Sequence, residues 1–262
     1  MKSLRYLVLA MLLLVVSSCR DHRETIPDEV SEILGLKIDR ALEVVLASPQ
    51  GATSGPKEYQ SITVVFNQPM KELSAGAGSL SQPFRIEPKV DGTFRWKGAA
   101  TVSFEPKEPL PYGTEFTVTV PAGLAAPDKK TLEKDYLFKF TTPGPQLLRT
   151  VPLTGTQDLR PDQPIFFIFD QPVEPEGVKG KLRVTSPVKG VALEVRKVTP
   201  EELEQLNRDR DDSETAEESQ VVVVIPSGLG ADVSFALTID SGLRGLGGPL
   251  SSAKSFSLST TT

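Results

Sequence analysis

The sequence of 262 residues has little of what most catalytic centres and metal sites are built from. It contains one cysteine, Cys19, and one histidine, His22. A single cysteine excludes an intrachain disulfide and any metal site made of several cysteines. Because His22 lies only three residues after that cysteine, near the N-terminus, a Ser-His-Asp or Cys-His arrangement inside a folded domain is excluded too.

Excess basic charge and long apolar segments are also missing. The formal net charge is −5, so there is no electrostatic reason to expect nucleic acid as a partner. The longest apolar run, residues 6–16, is too short to span a bilayer comfortably as a helix. Aromatic residues make up 6% of the chain, whereas proline (22) and glycine (20) are frequent. This composition favours many short strands joined by turns, and therefore an all-β protein; no cofactor is expected.

The N-terminus has the pattern of a secretory signal. Lys2 and Arg5 precede the apolar run, which ends in Val16-Ser17-Ser18-Cys19. This ending resembles the lipobox of bacterial lipoproteins. The resemblance implies that residues 1–18 are a signal peptide that is removed, and that Cys19 is the lipidation site, with diacylglycerol on its sulfur and palmitate or a similar acyl chain on its nitrogen. A plain secretory signal with an incidental cysteine is the alternative.

The same resemblance predicts a location and a partner. Several acyl chains hold a protein firmly, so the membrane is the expected partner of the N-terminus. Arg20 follows the cysteine in place of aspartate, which favours the outer membrane of the cell envelope. Residues 19–40 are then a tether, in which Pro27 could begin a short helix or belong to a flexible linker.

Two stretches with one pattern organise the rest of the chain: residues 62–70 (ITVVFNQPM) and residues 165–173 (IFFIFDQPV). Apolar residues alternate in each and are followed by a short polar residue and Gln-Pro. This predicts a half-buried strand that stops before the proline. Phe66 and Phe169 hold the same position 103 residues apart, about the length of one small β-sandwich. The sequence therefore predicts two tandem sandwiches, residues 41–143 and 144–262, each with its own core.

An earlier strand is predicted in each copy. Leu42, Val44 and Leu46 alternate ahead of Pro49, and residues 147–151 stand at the same place ahead of Pro152. The alternation predicts that Leu42, Val44 and Leu46 share the buried face.

The second copy also carries an insertion, residues 199–219, with nine acidic and two basic residues. Its opening, Thr199-Pro200-Glu201-Glu202, predicts a helix that begins with a capping box. The whole insertion is predicted to be a solvated excursion, because like charges at this density repel each other. Residues 209–214 superficially resemble a calcium loop, but the required glycine and distal glutamate are missing, so no metal site is expected.

Three other features are interpreted as structural rather than chemical. The glycine-rich residues 245–249 lack the following helix that a phosphate cradle needs, and indicate turns. Trp96 stands at strand spacing and is expected to fill the core rather than form an exposed ligand platform. Asn67 and Asp170 are expected to cap the end of a strand rather than act as an acid or a base. No catalytic residue and no metal ligand is predicted.

Residues 41–143 resemble the bacterial Ig-like domain of S-layer and surface proteins, on the motifs FNQPM, GTFRW and FEPKEPLPYGTEFTVTV. The second copy keeps FDQPV and the closing strands but lacks the tryptophan and the LPYGT turn. Paired domains of this kind directly after a lipobox also resemble the N-terminal region of bacterial alpha-2-macroglobulin-like lipoproteins. The resemblance implies two tandem Ig-like β-sandwiches in a non-catalytic envelope protein with an unidentified protein partner. The chain would be the membrane-proximal region of a protease-trapping lipoprotein, in which case it is a truncated piece, or a stand-alone adhesion or spacer lipoprotein.

Overall fold

The computed structural model describes residues 40–71, 82–208 and 215–262. Residues 42–262 form one compact unit, to which residues 1–41 do not belong. The signal peptide, residues 19–39 of the tether with its predicted helix, and the stretch that resembles a calcium loop all lie outside the described residues.

Two sheets face each other in residues 42–142, which we call sandwich 1. Its strands are β1 (Val44–Ser48), β2 (Gly51–Ala52), β3 (Ile62–Phe66), β4 (Arg85–Glu87), β5 (Gly92–Trp96), β6 (Thr101–Pro106), β7 (Glu115–Val120) and β8 (Tyr136–Thr141). One sheet has the order β1-β3-β6-β5 and is antiparallel. The other has the order β2-β8-β7-β4, with β2 parallel to β8.

The same architecture returns in residues 146–262, which we call sandwich 2. Its elements are β9 (Leu147–Val151), β10 (Ile165–Phe169), α1 (Pro175–Lys179), β11 (Leu182–Thr185), β12 (Ala192–Lys197), α2 (Pro200–Asn207), β13 (Val221–Ser227), β14 (Ser234–Ile239) and β15 (Phe256–Thr261). The sheets have the orders β12-β13-β10-β9 and β11-β14-β15. Short 3-10 helices lie at Pro56–Glu58 and Glu218–Gln220. The predicted all-β class is confirmed.

The alternating runs place their apolar side chains as the sequence predicts. Ile62, Val64 and Phe66 of β3 are buried in one hydrophobic cluster, to which both sheets of sandwich 1 contribute. Ile165, Phe167 and Phe169 of β10 are buried in a second cluster, inside sandwich 2. The strand period therefore predicted the core-facing side of both central strands.

The expected burial of Leu46 is wrong, because β1 contains a bulge. Val44 pairs with Phe66, but Leu46 already pairs with Val65, so Val45 is an extra residue. An extra residue reverses the faces that follow it, and Leu46 is 53% exposed. Strand β9 has a bulge at Leu148, also 103 residues further on. Both strands lie at sheet edges, where a bulge hinders pairing with another chain.

The insertion has the predicted position and the predicted helix start, and the apolar face of its helix lies against the sheet. It connects β12 to β13, and α2 begins with a capping box between Thr199 and Glu202. Leu203 and Leu206 of α2 pack against a third apolar cluster on the outer face of the β12-β13-β10-β9 sheet. The buried members of that cluster are Ile168, Val198, Ala216, Val221 and Val223.

Two polar contacts hold the insertion on the sheet. The Arg196 guanidinium of β12 donates to both carboxylate oxygens of Glu202, at 2.8 and 2.7 Å, and this lowers the pKa of Glu202. The Asn207 side chain donates to the carbonyl of Ala216 and accepts from its N–H, both at 2.9 Å. The two ends of the insertion are therefore tied to each other and to sandwich 2.

Candidate functional site

The sequence predicted one site residue, the lipidation site Cys19, and it lies outside the described residues. In the described ranges no helix is long and apolar enough to cross a bilayer. Residues 40–71, 82–208 and 215–262 contain no cluster of His, Cys, Asp or Glu that could hold a metal ion. Trp96 is half-buried, and its ring stacks on Phe66 with 6.4 Å between centroids, in agreement with a packing role.

A feature that the sequence reading did not predict is the junction between the sandwiches. Residues 110–114 and the linker, residues 143–145, meet the loop of residues 244–251, which we call the junction loop. The junction loop is closed at its base by a bridge between Arg244 and Ser251. Residues from both sandwiches thus build one interface.

Glycine allows the backbones of the junction to approach closely. A Cβ on Gly248 would overlap the carbonyl oxygen of Tyr112, and a Cβ on Gly247 would lie 2.9 Å from the Cβ of Tyr112. In the linker, a Cβ on Gly144 would lie 2.5 Å from the carbonyl of Ser251. Turn chemistry alone therefore does not explain the glycine-rich residues 245–249, because the interface itself requires glycine there.

Backbone hydrogen bonds cross this interface. The N–H of Leu250 donates to the carbonyl of Gly113 at 2.7 Å, and the N–H of Gly113 donates to the carbonyl of Pro143 at 2.9 Å. Gly113 has φ +56°, a conformation that favours glycine. The side chain of Gln171, only 1% exposed, adds a bond from Nε2 to the same Pro143 carbonyl at 3.2 Å.

Asn67 and Asp170 have the structural role that the sequence predicts. Asp170 Oδ1 accepts from the N–H of Gln146 at 2.9 Å, and the N–H of Asp170 donates to the Gln146 carbonyl at 3.0 Å. Asn67 makes the same pair of bonds with Glu43, each 3.0 Å long. Each residue therefore ties the end of the alternating strand to the start of the preceding one.

The electrostatics of the junction are set by burial. Burial raises the pKa of Asp170, although the hydrogen bonds from Gln146 and Gln171 oppose the shift. Burial, together with the neighbouring Tyr112 and Asp170, raises the pKa of Tyr59 to about 12. The Oη of Tyr59 and the Oε1 of Gln171 are buried without a hydrogen-bond partner among the described residues. The junction thus combines a half-buried carboxyl with buried polar atoms that lack a partner among the described residues.

A sequence signal for the junction exists in the differences between the copies. The LPYGT turn, residues 110–114, is found only in the first copy, and GLGGP, residues 245–249, only in the second. These two segments contact each other across the junction. In this chain, the segments in which the two copies differ in sequence are therefore the segments that form the interface.

The fold defines a pair of Ig-like sandwiches, and comparison with known families agrees. Residues 38–142 match the model of the bacterial Ig-like domain. The resemblance read from FNQPM and GTFRW is confirmed. No curated protein sequence matches the chain significantly.

Several solved structures match the chain at low identity and low TM-score. Escherichia coli alpha-2-macroglobulin, domains MG0-NIE-MG1, is 13% identical over 85% of this chain and 72% of that one, with a TM-score of 0.28. The N-terminal part of the bacterial S-layer protein SbsC is 13% identical over 89% of this chain and 46% of its own, with a TM-score of 0.30. An L,D-transpeptidase from Mycobacterium tuberculosis H37Rv is 14% identical over 72% and 77% of the two chains, with a TM-score of 0.28.

Proposed function

We propose that this chain is a non-catalytic, lipid-anchored protein of the bacterial cell envelope, whose joined sandwiches hold a binding partner or a further module away from the membrane. The junction is the observation that carries this proposal. Interlocked backbones at Gly248 and Gly144 keep residues 42–262 in one compact unit. Such a unit holds its far end in position better than two domains on a free linker do.

The direction of the chain supports a spacer. Leu42, at the start of sandwich 1, pairs with Leu132, whose carbonyl accepts from the N–H of Gly123, three residues after the end of β7. The start of β7 follows Thr114, at the junction. Six residues of strand span about 20 Å, so the entry point and sandwich 2 are at opposite ends of sandwich 1.

Within this role we favour the membrane-proximal Ig-like region of an alpha-2-macroglobulin-like, protease-trapping lipoprotein. The support is the order of lipobox, tether and tandem Ig-like copies. A stand-alone adhesion or spacer lipoprotein is the second candidate. An antibody against residues 42–262, used on envelope fractions of the native bacterium, separates the two. A band far above the mass of 262 residues favours the first, and a band near that mass favours the second.

Lipidation of Cys19 is tested directly by metabolic labelling. Cells that express the wild-type chain should incorporate radiolabelled palmitate into it, and Cys19→Ala should abolish the label, because no other residue of the chain carries a thiol. Ser18→Ala keeps a small residue before the cysteine and is the matched control that should stay labelled. Undiminished labelling of Cys19→Ala would remove the anchor from the proposal.

Rigidity of the joined sandwiches is tested at Gly248. Gly248→Ala places a methyl group on the Tyr112 carbonyl, so the junction loop must move away from sandwich 1. We expect a larger radius of gyration in small-angle X-ray scattering and faster proteolysis of residues 143–145. Gly55→Ala is the matched control, because its Cβ meets no atom within 4 Å and its backbone is extended. Identical scattering from both variants and the wild type would contradict a rigid joint.

A further inference from the structure

Strand β5 of sandwich 1 has an outer edge that no strand of the described ranges occupies. It is the last strand in the order β1-β3-β6-β5 and is paired with β6. Most of the other sheet edges are bent, short or covered. Strands β1 and β9 contain bulges, β2 and β4 have two and three residues, and residues 155–156 bond along the outer edge of β15. A regular edge strand of five residues is a template for pairing with another chain.

The equivalent side of sandwich 2 is closed. Strand β12 takes the place of β5 in the sheet order, and helix α1 lies against it with Val178 fully buried in the core. In sandwich 1 a groove of about 750 Å³ lies beside β5, and its apolar lining includes Phe84, Ile86, Val90 and Phe94. The outer edge of β5 is therefore next to space that the side chains of an added strand can enter.

The backbone groups of β5 alternate in direction. The N–H of Lys107 in the β6 segment donates to the carbonyl of Asp91 at 2.9 Å, so this pair is hydrogen-bonded. Hydrogen-bonded pairs recur at every second residue of an antiparallel ladder, so the odd-numbered residues of β5 also face β6. The N–H and C=O groups of Gly92 and Phe94 therefore point to the outer edge.

We propose that β5 is a self-association surface, on which the β5 strand of a second copy pairs in the antiparallel direction, centred on Thr93. Gly92 of each copy then exchanges N–H···O=C bonds with Phe94 of the other, so the outward backbone groups of both residues are satisfied. On the exposed face, Arg95 lies opposite Asp91 of the other copy. Because the pair has twofold symmetry, each of these contacts occurs twice.

Charge favours this register over its neighbours. Centred on Phe94, the pair would place Arg95 opposite Thr93 and lose both ion pairs, and centred on Arg95 it would place two arginines directly opposite each other. The Arg95 side chain is 65% exposed and contacts Glu105 of its own copy at 2.7 Å. In the register centred on Thr93, the guanidinium therefore has a carboxylate on each side, Glu105 of its own copy and Asp91 of the other.

The inner face of the pair is complementary in shape. A Cβ on Gly92 would lie 2.4 Å from the ring of Phe104, so this ring covers the glycine. Phe94 of the second copy lies opposite Gly92, where no side chain blocks its way to that ring. Within its own copy, Phe94 packs against Phe84 and Phe104, with 4.8 and 5.0 Å between centroids. The pair thus extends an aromatic row from one copy into the next and buries Phe94, which is half-buried in a single copy.

Sedimentation equilibrium of residues 19–262 tests the inference, with Cys19→Ala so that neither a lipid nor a disulfide joins two copies. The strand pair is short, so the association is weak and reversible. We expect the apparent mass to rise from one copy towards two as the concentration increases from micromolar to millimolar. In the same background, Asp91→Lys and Arg95→Asp should each stay monomeric, because like charges then face each other. An equimolar mixture of these two variants should associate again, since every opposed pair of the mixed dimer then has opposite charges.

The matched control for the charge variants is Lys139→Asp. It breaks the exposed ion pair with Glu115 between β8 and β7, away from β5, and it should associate like the parent chain. A parent chain that stays monomeric at millimolar concentration would overturn the proposal. So would association that survives in both Asp91→Lys and Arg95→Asp, or a mixture that fails to recover it. The inference does not depend on the lipid anchor.

Hydrogen exchange keeps the test decisive if a charge variant does not fold. In the parent chain, protection of the Gly92 and Phe94 amides should rise several-fold with concentration. The amides of Thr93 and Arg95 face β6 and should be equally protected at every concentration. If Gly92 and Phe94 are already fully protected in the monomer, another part of the same chain occupies the edge and the proposal is wrong. Fast exchange of both amides at every concentration would contradict it as well.

Discussion

Deletion of residues 200–218 should lower the free energy of unfolding by roughly 5 kcal/mol or more. The deletion uncovers Ile168, Val221 and Val223, which are buried under the insertion, and each such side chain contributes about 1.5–3 kcal/mol when fully buried. The shorter loop does not compensate for this loss, since a twofold change in loop length changes the free energy of loop closure by only about 0.6 kcal/mol. The new connection would have the same length as residues 97–100 between β5 and β6, so the hairpin itself can close. Urea unfolding measures the loss.

The two faces of α2 provide matched variants for this prediction. Leu203→Ala with Leu206→Ala removes only the contact with the sheet and should cost roughly 2–4 kcal/mol, since both side chains are half-buried. Glu201→Ala with Glu204→Ala changes the exposed face of the same helix and should stay within about 0.5 kcal/mol. If the deletion unfolds within 1 kcal/mol of the wild type, α2 is a solvated excursion after all.

Helix α2 shows which features could be predicted from the local sequence and which could not. The capping box at Thr199 was predictable because all of its partners lie within four residues of chain. The packing of α2 on the sheet was not predictable in this way, because the charge density is a property of the insertion and gives no information on the sheet surface beneath it. A signal was nevertheless present in β13, where residues 221–225 are apolar without alternation. Such a run indicates a strand buried on both faces, and a sheet at the surface can bury its outer face only under another element.

In the strands, too, some features were predictable from the local sequence and others were not. Alternation predicted the buried side of β3 and β10, because the period of two is a property of the backbone. The extra residue at Val45 leaves no mark in the pattern, since Leu46 and Ala47 are both apolar and either could face the core. The pairing of β1 with β3 determines which of the two faces the core, and this pairing cannot be derived from the sequence of β1 alone.

The junction could not be predicted from the local sequence for a related reason. Its two halves, residues 110–114 and 245–249, are more than 130 residues apart, and each alone is an ordinary turn sequence. Only comparison of the copies singles them out.

Phe66→Ala and Phe169→Ala should each cost about 3–5 kcal/mol of unfolding free energy. Phe66 is 2% exposed and Phe169 is fully buried, and each lies in the central cluster of its sandwich. Phe66 loses its stacking on Trp96, and Phe169 loses an edge contact to Phe256 with 5.9 Å between centroids. A loss of this size is a large share of the stability of a small domain. Denaturant unfolding followed by circular dichroism measures both.

Exposed residues on the neighbouring edge strands serve as controls for the two phenylalanines and for the bulges. Leu46 and Leu148 are 53% and 64% exposed, because the extra residue in β1 and in β9 turns these side chains outward. Leu46→Ala and Leu148→Ala should therefore cost less than about 0.5 kcal/mol, although strict alternation from Val44 would bury Leu46. If Leu46→Ala costs about as much as Phe66→Ala, then β1 has no bulge and its pairing with β3 is shifted by one residue. If Phe169→Ala is as mild as Leu148→Ala, the second copy does not use its alternating run as a core strand, and its equivalence to β3 fails.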